Sequence, residues 1–277
     1  MKPAFQKNNA LLADIAQARA EGRARLWWLG QSGFLVSTRE ATVLFDPCLS
    51  DSLMKKYAGT DKPHTRITER VIAPECLQGI DVITSSHTHT DHLDAETLQP
   101  LLATNPQAKL LIPRANRTFV LERLRNVAAS LVELDAGESV RVAGVTFHGI
   151  AAAHNTVERD EHDHCRFLGF VAQLADRTIY HSGDTLLHDE LISSLLRFKI
   201  DVAILPINGN KPERRVAGNL SGREAARLAH EIKAGVAIPH HFDMFEFNTA
   251  SPDEFAAECH RLGQCARVLQ NGEGFDL

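Results

Sequence analysis

The 277-residue chain reads as a layered α/β protein, and three observations carry that reading. Short β-branched and aromatic runs are joined by glycine-containing turns, as in residues 25–29, Gly30-Gln31-Ser32-Gly33 and residues 34–37, which is the pattern of an antiparallel meander. Between residues 81 and 125 strand-like and helix-like segments alternate, as they do where helices pack on a sheet. The densest groups of histidine and aspartate fall where apolar strands end.

Taken in order, Leu11, Leu12, Ile15, Ala16 and Ala18 stand at helical spacing before Gly22 and predict an amphipathic helix over 9–21, a cap on the domain. Strands over 25–29, 34–37 and 42–45 form the first meander, which ends at Asp46-Pro47. Residues 49–74 hold Pro63 and, among their charges, Lys55, Lys56, Asp61, Lys62 and Arg66, without a period. A loop of that length is either disordered or part of a site. A strand over 81–85 follows, then a helix over 95–104 capped by Asp94, a strand over 109–112 and a helix over 116–125.

Strands over 131–134, 139–142 and 146–151 make a second meander with Gly137 and Gly144 in its turns. After a charged stretch, 155–166, come a hairpin over 167–174 and 178–180, a helix over 186–198, a strand over 202–205, and a long basic loop over 206–219. Ser221 and Glu224 form a capping box for a helix that runs to 232. A strand over 236–238, a helix over 252–262 and a strand over 267–269 complete the chain. With no repeat, low-complexity tract or linker, residues 1–277 read as one domain.

Composition sets outer limits. Hydrophobic residues at 44% and charged residues at 23% are those of an ordinary globule, and a net charge of −5 gives no general attraction to a polyanion. Long nucleic acid and anionic membrane are therefore not expected partners. The first apolar run, 10–13, is broken by Asp14 before a secretory leader can form, and no later run approaches the roughly 20 apolar residues of a spanning helix. Five cysteines without a C-x-x-C spacing read as reduced thiols in a cytoplasmic protein.

The chemistry concentrates in His87-Thr88-His89-Thr90-Asp91-His92, directly after the strand over 81–85. In extended backbone His87, His89 and Asp91 point one way and His92 the other. A turn imposed by the Asp94 cap would divide the cluster into two adjacent pockets, His87 with His89 and Asp91 with His92. Neutral imidazole is the commonest protein metal ligand. The motif resembles the signature of the metallo-β-lactamase superfamily, whose members bind one or two metal ions between two sheets. That resemblance implies a four-layer αββα sandwich and asks for a lone histidine, a Gly-Asp pair and a final histidine downstream.

His154, Gly183-Asp184 and Pro239-His240-His241 answer to these, each at the end of an expected strand. The resemblance assigns His87, His89 and His154 to one ion, Asp91, His92 and His241 to the other, and Asp184 as the bridge. His241 is preferred to His240 because the family places its ligand two residues after proline. All the donors are nitrogen or oxygen, which suits manganese or zinc and also accepts iron. Asp46 is read either as the carboxylate that orients a ligand imidazole or as a turn residue before Pro47. His181, His188, His230 and His260 are read as structural or solvent-facing, and His64 and His148 have no companion ligand.

Two divalent ions about 3.5–4 Å apart make a bridging water acidic and stabilise the oxyanion of hydrolysis. Asp91 or Asp184 would carry the proton to the leaving group. Flanking segments resemble the L-ascorbate-6-phosphate lactonase branch of the superfamily: Leu29-Gly30-Gln31-Ser32-Gly33-Phe34, Phe45-Asp46-Pro47-Cys48, Asp160-Glu161-His162 with Arg166-Phe167-Leu168-Gly169, Pro206-Ile207-Asn208-Gly209, Gly218-Asn219-Leu220 and His241-Phe242-Asp243-Met244-Phe245. The resemblance implies hydrolysis of a cyclic ester in a phosphorylated sugar acid.

For the phosphate, Arg166, Lys211, Arg214, Arg215, Asn219 and the helix start at Ser221 are the expected contacts. The alternatives are a phosphodiesterase acting on cyclic nucleotides or RNA ends, and a catalytically silent metal-binding sensor. The partner expected is a small phosphorylated or lactone substrate; a homo-oligomer is compatible with the sequence.

Overall fold

The computed structural model describes residues 1–277. The chain runs α1 (Asn8–Ala20), β1 (Arg25–Gly30), β2 (Gly33–Ser37), β3 (Thr42–Phe45), α2 (Ser52–Lys56), β4 (Val82–Thr84), α3 (Ala95–Thr104), β5 (Lys109–Pro113), α4 (Arg117–Arg123), β6 (Leu131–Leu134), β7 (Ser139–Val142), β8 (Val145–Ala151), β9 (Leu168–Leu174), β10 (Arg177–His181), α5 (Leu191–Leu195), β11 (Val202–Pro206), α6 (Gly222–Glu231), β12 (Val236–His240), α7 (Asp253–Leu262) and β13 (Gly274–Asp276).

These strands form two mixed sheets, ordered β13-β1-β2-β3-β4-β5-β6 and β12-β11-β10-β9-β8-β7. Each sheet follows one plan. An antiparallel meander comes first (β1 to β3, β7 to β10), and parallel strands are added at its end (β4 to β6, β11 and β12).

Burial explains why the first meander is apolar throughout rather than alternating. Leu26 and Trp28 of β1, with Phe34, Val36, Val43 and Phe45, belong to the core between the sheets. Trp27 and Leu29, with Leu35 and Leu44, face outward under α1, α3 and α4. Successive side chains leave a strand on opposite faces, so a sheet covered on both sides needs apolar residues at every position. Leu11 and Ile15 of α1 are buried there. At about 1.5–3 kcal/mol each, they hold a helix whose N-terminus has no side-chain cap. On the other side α5, α6 and α7 add Leu191, Leu195, Ala225, Ala229, Phe255 and Cys259 to the main core. The result is the layered α/β architecture the sequence predicts. No helix is long and apolar enough to cross a membrane.

Two expected elements differ. The strand expected over 267–269 is replaced by one isolated bridge, Ala237 to Ala266, and the last strand is β13, which pairs antiparallel with β1. The helix expected over 186–198 shortens to α5. Its first turn is drawn to the end of β8 instead, where the Leu186 N–H donates to Ala153 O at 2.7 Å and His188 Nε2 to Ala151 O at 2.9 Å.

Candidate metal centre

The loop after β4 turns as its cap requires. Asp94 accepts from the Glu96 N–H at the start of α3, and the N–H groups of His92 and Leu93 both donate to His89 O, at 3.0 and 2.7 Å. Arg123 of α4 pins the outside of the turn through Thr88 O (2.9 Å) and Leu93 O (3.3 Å). His87 and His89 therefore part from Asp91 and His92.

The downstream residues close around them. His87, His89, His154 and Asp184 each offer a donor atom within 4.8 Å of the others, and Asp91, His92 and His241 do the same. The groups meet at Asp184, whose Oδ1 lies 3.3 Å from His92 Nε2 and whose Oδ2 lies 3.5 Å from both His154 Nε2 and His241 Nε2.

Neighbours fix the ring orientations. His92 Nδ1 is 2.7 Å from Asp46 Oδ2, while Asp46 Oδ1 accepts from Thr84 Oγ1 (2.8 Å) and the Ser86 N–H (3.0 Å). His154 donates from Nδ1 to Gly218 O at 2.8 Å. Both contacts leave Nε2 directed at Asp184, which is how outer partners orient metal-ligating histidines. His240 faces away, stacked on His181 at 5.2 Å with Nδ1 3.1 Å from Ser32 Oγ. The adjacent histidines diverge because His241 takes a left-handed backbone, φ 64°.

Gln31 and Asp46, at the ends of β1 and β3, share that conformation with φ 48° and 37°. Non-glycine residues held there cost on the order of 1–3 kcal/mol each and gather at functional sites. Before Asp184 only glycine fits: Gly183 has φ +59°, and a Cβ would meet Ser86 Cβ and Oγ at 2.7 Å.

The electrostatics favour a cation. Asp46, Asp91 and Asp184 are buried. Burial would raise their pKa values, yet His92 and its neighbours hold all three below the ordinary carboxylate range. Burial opposes protonation of His241 too, but Asp184 and Asp91 raise it to about 9. Buried carboxylates need a positive partner, and a divalent ion would provide it without protonated rings. His87 is held neutral by burial and by the His92 and His89 rings. His87 Nε2 is buried without any hydrogen bond, and so is Asp184 Oδ1 despite its 3.3 Å approach to His92. Orphaned donor atoms of this kind, all nitrogen and oxygen, fit divalent zinc, manganese or iron.

Above the donors lies a cleft of about 250 Å³, with Asp91, His154, Asp184 and His241 in its lining. Its walls come from the excursion over 49–74, through Lys56, Tyr57, Lys62 and His64, and from the loop over 206–219, through Arg215 and Val216. Lys62 Nζ donates to Arg215 O at 2.6 Å, and Arg215 pairs with Asp61, so the two loops clasp each other over the site. His64, without a companion in the sequence, stacks on Tyr57 at 4.4 Å in that wall.

Among the expected phosphate contacts, Arg215 lines this cleft and the exposed Arg166 lines a neighbouring cavity. Arg214 and Ser221 make hydrogen bonds within the fold. Arg214 already donates to Asn208 O (2.6 Å), Asn248 Oδ1 (3.1 Å) and Thr249 O (2.7 Å), and Ser221 Oγ is occupied by the capping box with Glu224. Lys211 is exposed and stands outside the cleft lining. Asn219 is fully buried, with neither end of its amide hydrogen-bonded. Gln31 was not anticipated: its Nε2 is 2.9 Å from Asp91 Oδ2 and within 3.2 Å of both His241 ring nitrogens. In the sequence it stands only within the Gly30–Gly33 turn and the flanking segment 29–34 of the resemblance, neither of which gives it a role.

The family described as "Beta-lactamase superfamily domain" matches residues 41–242. A UPF0173 metal-dependent hydrolase of Metallosphaera sedula is 25% identical over 255 residues, covering 92% of this chain and all of that protein. In fold, a metallo hydrolase from Ignicoccus hospitalis superposes with a TM-score of 0.67 at 20% identity, over 92% of this chain and 98% of the other. An isothiocyanate hydrolase from Delia radicum gut bacteria gives 0.69 at 20% identity, over 91% of this chain and 100% of the other. With the family matched over most of the chain, the protein belongs to the metallo-β-lactamase superfamily.

Proposed function

We propose that the protein opens the cyclic ester of a small phosphorylated sugar-acid lactone, using one or two divalent ions, manganese or zinc. His87, His89 and His154 would hold one ion, Asp91, His92 and His241 the other, and Asp184 both. The observation that carries the proposal is the approach of both donor groups to Asp184, at 3.3 Å from His92 and 3.5 Å from His154 and His241.

A pair of divalent ions supplies Lewis acidity and a water acidic enough to attack an ester carbonyl near neutral pH. Asp46 keeps His92 in the tautomer that presents Nε2, and Gly218 O does so for His154. Gln31 donates to Asp91 Oδ2 and steadies a carboxylate that would take the proton of the attacking water and pass it to the departing alkoxide. Lys56, Lys62 and Arg215 supply cations for the phosphate in the same cleft.

Metal analysis of the purified protein, followed by assays on phosphorylated and plain lactones beside phosphodiesters, tests this. Lactone ring opening is expected, and His89→Ala or Asp184→Ala should lose metal and hydrolysis together. Turnover of phosphodiesters alone would replace the lactonase reading with phosphoryl transfer, and full activity in either variant would overturn the ligand assignment.

A further inference from the structure

The cleft over the metal donors is one of two lobes. A second cavity of about 390 Å³ adjoins it and shares His89, His154 and Ala217 with it. The donors thus stand at the waist between two chambers of different character.

The second lobe has a mixed lining, in which two aromatic rings, Phe119 and Phe167, stand beside Thr88, Asn116 and Asn155. Phe167 forms one side, its ring centroid 5.0 Å from that of His87 and 5.6 Å from that of His154. Phe119 of α4 also lines the lobe, 40% exposed although Arg123 already lies over its ring at 4.6 Å. An aromatic ring left open beside a metal centre is apolar surface awaiting a partner. The charges of this lobe, Arg166 and Glu158, are one of each sign.

The first lobe is different. Lys56, Lys62 and Arg215 line it, Arg215 paired with Asp61, and its own carboxylates, Asp91 and Asp184, belong to the donor set. An anion is therefore drawn to the first lobe and not to the second.

From this juxtaposition we infer that the substrate is two-armed: an aromatic or branched apolar group lies between Phe119 and Phe167, an anionic group lies among Lys56, Lys62 and Arg215, and the bond to be cut lies over His89 and His154. The position of the bond rests on the hydrolase reading; the two arms do not. A phosphorylated sugar acid alone would leave the aromatic lobe empty, so the inference adds an apolar substituent to that substrate class.

Calorimetry on the full-length, metal-loaded protein tests the arms without requiring turnover. Butyl phosphate and 4-phenylbutyl phosphate differ only in the ring, and comparing them cancels any direct interaction of phosphate with the ions. The phenyl compound should bind roughly tenfold more tightly, as burial of an aromatic ring warrants. Phe119→Ala should collapse that ratio, and Lys62→Ala should weaken both compounds while preserving it. 6-Phenylhexanoate distinguishes a carboxylate from a phosphate as the anionic group, since only the group the first lobe accepts should keep the Lys62 dependence. Equal binding of the two phosphates by the wild-type protein, or a ratio that survives Phe119→Ala, overturns the inference. Failure to open any lactone would remove the lactonase reading and leave this result standing.

Discussion

Asp46 Oδ2 stands 2.7 Å from Nδ1 of His92, with both side chains fully buried. The carboxylate touches no substrate space, yet it selects the tautomer by which His92 faces Asp184. Asp46→Ala should lower metal affinity about 10–100-fold, the usual cost of losing such a support. Asp46→Asn, which can keep a hydrogen bond but not the charge, should fall between. Competition with a chromogenic chelator measures both; unchanged affinity in the alanine variant would show that His92 needs no orientation.

Gly183→Ala should damage the centre without removing a donor. The added methyl group meets Ser86 at 2.7 Å and the carbonyl of Leu168 at 3.0 Å, in a left-handed backbone. We expect a loss of about 1–3 kcal/mol in stability together with a lower metal content. Thermal melting and elemental analysis read these separately, and a variant that melts normally with full metal would contradict the packing described.

Arg214→Ala should act through the loop, not through the ligand. Its guanidinium joins Asn208 to Asn248 and Thr249. Removing it should cost about 1–3 kcal/mol and speed proteolysis of residues 206–219. Arg214→Lys should not restore protection, because an ammonium cannot reproduce the fork. Equal proteolysis of wild type and variant would show that these hydrogen bonds do not hold the loop.

Thiol chemistry should separate the five cysteines into two classes. Cys76 and Cys265 are exposed, whereas Cys48, Cys165 and Cys259 are buried. Burial pushes Cys165 and Cys259 up to about 11, so little thiolate forms at pH 8. A colorimetric disulfide reagent should find two reactive thiols in the native protein and five after denaturation. More than two fast thiols before unfolding would mean that the core opens readily.

Local chemistry explains what the sequence could disclose. The helix over 95–104 and the Ser221 capping box depend on neighbours three residues away, and both are found as read. The split of the first motif follows from the Asp94 cap in the same way. β13 was hidden because a three-residue strand has no period and takes its partner, β1, from the other end of the chain. Gln31 was hidden because an amide is not a ligand type and its contact with Asp91 spans 60 residues. The hydrogen bonds of Arg214 to Asn248 and Thr249 were equally out of reach, because they join segments more than 30 residues apart.

One feature of the architecture reaches beyond the cleft. His87, His89, Asp91 and His92 hang from the sheet built on β1 to β6, while His154, Asp184 and His241 hang from the sheet built on β7 to β12. A cation seated among them would act as a rivet through both plates of the sandwich. Chelation should then lower the force needed to pull the plates apart while leaving the ladders within each plate intact.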